Sequence, residues 1–136
     1  MMKTCSGFLF LLLGSILCCA QESATYRACS KQANTQSEMN ACASNEAKRV
    51  DDELNKVYKQ LLSKVRGNPL ATAKIRAAQR AWVAHRNAYI EAMYPAKDKA
   101  AEYGSIFPME VGLLTAKLTG QQISALRDIL RENEPE

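Results

Sequence analysis

Two long amphipathic segments follow each other in the middle of the chain. In the first, apolar residues recur at spacings of three and four, namely Ala47, Val50, Leu54, Val57, Leu61 and Val65. That spacing is typical of a helix with one buried face. Thr35 followed by Glu38 matches a capping box, and residues 67–69 interrupt the stripe. We therefore predict a helix from about Gln36 to Arg66, roughly 45 Å long at ~1.5 Å per residue.

The second segment is predicted to fold back on the first. Its apolar face consists of Leu70, Ile75, Ala78, Trp82, Tyr89 and Met93. Asn68 is a suitable N-cap, Pro69 suits the first helical position, and Pro95 ends the segment. Because the connection is so short, the two helices must form an antiparallel hairpin.

Shorter elements are predicted on either side of the hairpin. Residues 24–33 suggest a short helical turn, and Lys97 to Gly104 is charged and loop-like. Ser105 can cap a third helix that extends to about Leu118. Thr119 with Gln122 matches a further capping box, which predicts a fourth helix over residues 120–131. The predicted fold is all-α: an antiparallel long-helix hairpin packed with one or two C-terminal helices.

The first twenty residues have the pattern of a secretory signal peptide. Lys3 precedes an apolar stretch over residues 8–17, and small residues follow at Cys18 and Ala20. The stretch of roughly ten residues is short of the ~20 that a membrane span needs. We expect cleavage after Ala20, which leaves one domain, residues 21–136, in the periplasm or outside the cell. The alternative is a lipid anchor on Cys18 or Cys19, although neither follows the usual residue pattern.

Cys29 and Cys42 are the cysteines that remain after the leader. An even pair in an exported protein indicates a disulfide, and closing a loop of about 14 residues stabilises the fold by roughly 3 kcal/mol. A metal site would need further ligands, and the chain has one histidine. We expect neither a metal nor another cofactor.

The net charge gives little indication of a partner. The formal charge of +4 includes Lys3, so the mature domain carries about +3. Acidic and basic residues are interpreted as interleaved rather than segregated. We therefore expect no nucleic-acid partner, and only a weak preference for anionic polymers of the cell envelope.

The hairpin register predicts a polar seam between the two long helices. Its members lie on two facing ridges: Asp51, Asn55 and Tyr58 on the first helix, and Gln79, Trp82 and Arg86 on the second. In a structural interpretation Asp51 and Arg86 form an ion pair, Asn55 and Gln79 bond each other, and Trp82 fills the core.

The same seam has a second interpretation as a recognition patch. Trp, Tyr and Arg dominate binding hot spots, so Tyr58, Trp82, His85 and Arg86 are the candidate partner-binding residues. No catalytic residue is predicted, because His85 has no nucleophile or carboxylate pair beside it in the pattern. The chain is therefore expected to be a binding protein and not an enzyme.

Several motifs resemble those of the lysozyme inhibitor LprI-like family of secreted bacterial proteins. They are Cys42, the segment DDELNKVY at residues 51–58, QRAWVAHRNA at residues 79–88 and GSI at residues 104–106. The resemblance extends from about Cys29 to Leu130. It implies a small helical exported protein, and lysozyme inhibition for some members of the family.

The resemblance implies inhibition by steric occlusion of the glycan cleft of lysozyme, with Arg86 or His85 reaching its catalytic carboxylates. A mildly basic inhibitor gains no long-range attraction to the strongly basic animal-type enzymes. The alternative is a structural or stress-related envelope factor that binds peptidoglycan or another envelope protein without inhibiting lysozyme. We expect a monomer in either case.

Overall fold

The computed structural model describes residues 22–132, which form five α-helices and one short 3-10 helix. The α-helices are α1 (Ala24–Gln32), α2 (Gln36–Lys64), α3 (Pro69–Met93), α4 (Lys99–Tyr103) and α5 (Phe107–Glu132), and the 3-10 helix at Gly104–Ile106 leads into α5. The predicted all-α class with a long-helix hairpin is confirmed. The predicted leader, residues 1–20, and the alternative lipid anchor at Cys18 or Cys19 lie outside the described residues.

Local capping sets the starts of the two long helices. The Thr35 hydroxyl accepts a hydrogen bond from the Glu38 N–H at 3.2 Å, and the Glu38 carboxylate accepts one from the Thr35 N–H at 3.0 Å. This reciprocal box satisfies backbone donors that the first turn of α2 cannot pair. Asn68 caps α3 with a one-way bond, since its side-chain oxygen accepts from the Ala71 N–H at 3.0 Å. Both starts agree with the predicted ones.

The C-terminal region differs from the prediction in two places. The predicted break at Thr119 was wrong, because α5 runs without interruption from Phe107 to Glu132. Thr119 is fully buried, so its side chain takes part in packing instead of capping a new helix. The segment predicted as a loop contains the short helix α4, which Asp98 caps.

An aromatic cluster and one glycine form the corner between α3 and α5. The rings of Tyr94, Tyr103 and Phe107 pack together with centroids 5.2–5.6 Å apart. Gly104 has φ +69°, a conformation that residues with a Cβ rarely adopt. This corner reverses the chain, so that α5 returns alongside α2.

The core lies mainly between α2 and α5, which run parallel to each other. Gly112 lies against Ala43 near one end, and Arg127 pairs with Glu53 farther along. Between and beyond these points the buried residues are Val50, Leu54, Val57, Leu61, Val65, Ile123 and Leu126. Burying apolar surface at about 25 cal/mol per Å² makes this interface the main source of stability.

α3 covers this core only partly. It runs antiparallel to α5 and lies closer to α5 than to α2. None of its residues is buried. Ile75 and Trp82 pack against the core as predicted, but Leu70 is 69% exposed and Met93 is 52% exposed. The predicted inward face of α3 was therefore too wide. The seam between α2 and α3 stays partly open along its length.

α1 is fastened to the start of α2. A Cys29–Cys42 disulfide joins them, with the two Cα atoms 5.7 Å apart, which confirms the predicted bridge. Tyr26 is buried beside Cys42 and Ala43, and Met109 of α5 packs against the same group. The N-terminal arm thus completes a second small core at the far end of the α2–α5 interface.

Candidate functional site

Arg86 is the centre of the polar seam. Its Nη1 donates to Asp51 Oδ1 at 2.9 Å and to Thr119 Oγ1 at 3.2 Å. The guanidinium carbon lies 4.9 Å from the centre of the Trp82 ring, within the range of a cation–π contact. One side chain therefore ties α3 to α2 and to α5 at the same height in the bundle.

The environment of Arg86 is largely closed to solvent. Its side chain is 15% exposed, whereas the Asp51 side chain is 46% exposed. The Arg86 Nε is buried and makes no hydrogen bond within residues 22–132. A buried unbonded donor costs free energy, so the two bonds from Nη1 and the Trp82 contact must offset that cost.

The structure gives the predicted seam a third ridge, contributed by α5. Gln122 Nε2 donates to Gln79 Oε1 at 3.0 Å, so Gln79 bonds α5 and not Asn55 as predicted. Asn55 itself is exposed. Sequence reasoning missed this ridge because it assigned Thr119 and Gln122 to a capping box. The spacing of Thr119 to Ile123 and Leu126, four and then three, does place Thr119 on the buried face.

The four predicted partner-binding residues fall into two groups. Trp82 and Arg86 form the interior layer described above. Tyr58 is half-buried and packs against the core, and His85 is exposed on the outer surface of α3. Only His85 among them presents an open side chain.

His85 belongs to a row of exposed residues that we name the exposed ridge: His85, Tyr89 and Met93, each four positions apart on α3. The His85 and Tyr89 rings lie 6.2 Å apart, centre to centre. Tyr89 is 42% exposed and Met93 is 52% exposed. Apolar and aromatic groups held on a rigid helix in this way suit contact with another molecule.

A second buried charge lies near the disulfide. Glu46 is 7% exposed and accepts two hydrogen bonds from Arg49, at 2.9 and 2.8 Å. These bonds lower the pKa of the Glu46 carboxyl, and burial of the carboxylate offsets part of that shift. The pair of bonds from Arg49 keeps Glu46 ionised at neutral pH, which fits a structural role for this ion pair.

Residues 22–132 lack two features that would point to other kinds of site. No set of three or more His, Cys, Asp or Glu side chains comes together there in a way that could hold a metal ion. Within the same range, none of the helices combines the length and hydrophobicity required to cross a membrane.

Comparison with known proteins gives one family and one distant relative. A model of the family described as "Lysozyme inhibitor LprI" matches residues 27–126. An uncharacterized protein of Rhizobium meliloti (strain 1021) is 27% identical, over 90% of this chain and 94% of its own length. No solved structure matches the chain significantly.

Proposed function

The chain belongs to the lysozyme inhibitor LprI family, and from that premise we propose that it is an exported, non-enzymatic inhibitor of lysozyme that protects the bacterial cell wall. The family match over residues 27–126 is the observation that carries the proposal, since it includes α2, α3 and most of α5. The leader, cleaved after Ala20, takes the protein to the periplasm or beyond. It acts there as a monomer.

The exposed ridge is the proposed contact with lysozyme. The glycan cleft of such enzymes contains a pair of catalytic carboxyl groups. The row His85, Tyr89 and Met93 offers two rings and a flexible thioether to such a cleft, on a helix that need not reorganise. A preorganised contact loses little conformational entropy on binding.

His85 is better placed than Arg86 to reach the catalytic carboxylates. Arg86 would have to break its bonds to Asp51 and Thr119 and leave the Trp82 ring first. That rearrangement removes contacts between three helices, so it opposes binding. His85 is already exposed, and Arg86 serves by holding α3 in position beneath it.

A wall-clearing assay tests the proposal. Purified mature protein is titrated against several lysozymes with and without a triple replacement of the exposed ridge, His85→Ala, Tyr89→Ala and Met93→Ala. We expect inhibition at micromolar concentration and at least a roughly tenfold weaker effect of the triple variant, since hot-spot truncations cost about 2 kcal/mol or more. Leu70→Ala removes an even more exposed apolar side chain elsewhere on α3, and we expect this variant to inhibit normally.

The assay separates two failures. If no lysozyme is inhibited at micromolar excess of the intact protein, the inhibitory function is rejected. If the triple variant inhibits as strongly as the unmodified protein, the exposed ridge is not the contact surface.

A further inference from the structure

The positive charge of the chain is concentrated in one stretch. Residues 54–90 contain no Asp or Glu, but they include the basic residues Lys56, Lys59, Lys64, Arg66, Lys74, Arg76, Arg80 and Arg86. The prediction that acidic and basic residues are interleaved was therefore wrong for this part of the chain. The stretch covers the second half of α2, the turn and most of α3, so the charge gathers at the closed end of the hairpin.

Within residues 22–132, Arg86 is the one member of this set with an ion pair, and the unpaired members include Arg66, Arg76 and Arg80. The ion pairs of the part of the chain that the structure describes join other cations to the available carboxylates, and none of them includes these three arginines. All three side chains are exposed. Their charge is thus available to an anion from outside the molecule.

The three arginines line a groove on one flank of α3, bordered by the turn at Arg66 and by Tyr58 of α2. Two adjoining depressions share Arg76 and Arg80. Arg66, Thr72 and Ala73 line the first, and Tyr58 and Val83 line the second. We name this surface the arginine groove. From Pro69 to Val83 it extends along α3 for roughly 20 Å at ~1.5 Å per residue.

The shape and lining of the groove restrict what it can hold. It is open to solvent along its length, so it suits an extended chain better than a small ion, which needs an enclosed site. Small residues at Thr72 and Ala73 let a ligand approach the helix closely. The Tyr58 ring and Val83 offer apolar surface beside the guanidinium groups, which can pair with carboxylates in a bidentate manner.

We propose that the arginine groove binds an extended glycan that carries carboxylates, in the form of peptidoglycan with its acidic stem peptides. The sugar faces pack on Tyr58 and Val83, and the carboxylates pair with Arg66, Arg76 and Arg80. The wall polymer is also the substrate of lysozyme, so this contact holds the protein where the enzyme acts.

The arginine groove and the exposed ridge lie on different flanks of α3. At 3.6 residues per turn, Arg76 and Val83 fall to one side of the inward-facing Arg86, and His85 and Tyr89 fall to the other. Binding to the wall and inhibition of lysozyme are therefore separable by mutation. The proposal for the groove does not depend on the inhibitory function.

Co-sedimentation with insoluble peptidoglycan tests the proposal. The mature protein is compared with Arg76→Glu/Arg80→Glu and with a control, Lys97→Glu/Lys117→Glu, which changes the net charge equally at exposed positions outside the groove. We expect the groove variant to bind at least about tenfold more weakly, the control to change less than about twofold, and added salt to weaken binding. Thermal melting followed by circular dichroism establishes that both variants are folded. Arg76→Gln/Arg80→Gln removes the positive charges without adding negative ones, so we expect it to lose less binding affinity than the glutamate variant.

Three results would overturn the proposal. One is an equal loss in the control variant, which would make the effect one of net charge alone. Another is undiminished binding to peptidoglycan whose carboxylates have been converted to amides. The third is equally tight, groove-dependent binding to double-stranded DNA or to anionic lipid vesicles, which would identify a general polyanion surface. Inhibition of lysozyme on a soluble, uncharged oligosaccharide should be unchanged in the groove variant, so failure here is distinguishable from failure of the inhibitory function.

Discussion

Replacement of Arg86 by alanine should destabilise the protein more than replacement of any exposed arginine. The substitution removes the bonds to Asp51 and Thr119 and the contact with Trp82. Hydrogen bonds to charged groups contribute about 1.5–3 kcal/mol each, and a cation–π contact about 0.5–1 kcal/mol. Two effects reduce this sum. Water screens the half-exposed Asp51, which weakens its bond to Arg86, and the substitution also removes the unbonded Nε, whose burial costs about 1–3 kcal/mol.

The net loss expected for Arg86→Ala is therefore about 2–3 kcal/mol, or about 10 °C or more in Tm for a domain of this size. Urea unfolding followed by circular dichroism measures it. Arg80→Ala serves as the control, because that side chain is exposed and should change stability by less than about 0.5 kcal/mol. Asp51→Asn should cost about 1 kcal/mol. The reasoning fails if Arg86→Ala and Arg80→Ala have equal effects, or if Asp51→Asn alone accounts for the whole loss.

Three further predictions concern stability. Gly112→Ala places a Cβ 3.0 Å from backbone atoms of Ala43 and should lower the free energy of unfolding by about 1–3 kcal/mol, measured by thermal unfolding. Gly120→Ala, where nothing lies close to the added Cβ, should be neutral or stabilising, and equal effects of the two variants would contradict the close approach of α2 and α5. Serine at both disulfide cysteines should cost about 3 kcal/mol, and a reductant should then no longer shift the melting temperature of that variant. Because folding lowers the pKa of Glu46, the ionised carboxylate stabilises the folded state fully above the ordinary carboxyl pKa, and this stabilisation is lost as pH falls through the folded-state pKa. In Glu46→Gln, the free energy of unfolding should therefore fall less steeply below about pH 4.5 than in the unmodified protein, and an unchanged slope would refute this.

The elements that short-range patterns specify were predictable from the sequence. The capping box at Thr35 and the Asn68–Pro69 start are local chemistry, so both long helices begin where predicted. The proximity of Asp51 to Arg86 followed from the short turn alone, since the two helices must pair antiparallel around it.

The arrangement around α5 was not predictable in the same way. Thr119 and Gln122 match a local capping pattern, but burial against α2 and a bond to Arg86 outweigh that preference. An apolar stripe also does not specify its partner: the face of α2 fits α3 or α5 equally well in the sequence, and the close approach at Gly112 favours α5. The contact between Asp51 and Arg86 was therefore predicted, whereas the contribution of α5 and the partner of Gln79 were not.

The parallel contact between α2 and α5 has a kinetic consequence. These helices form the main core, yet the whole of α3 and α4 lies between them in the chain. Folding must close a loop of roughly 40 residues, at an entropic cost of about 3 kcal/mol, before that core can form. We therefore expect slower folding than in a bundle whose tightest neighbours are adjacent in sequence. α3 buries none of its residues, so its amide hydrogens should exchange before those of α2 and α5.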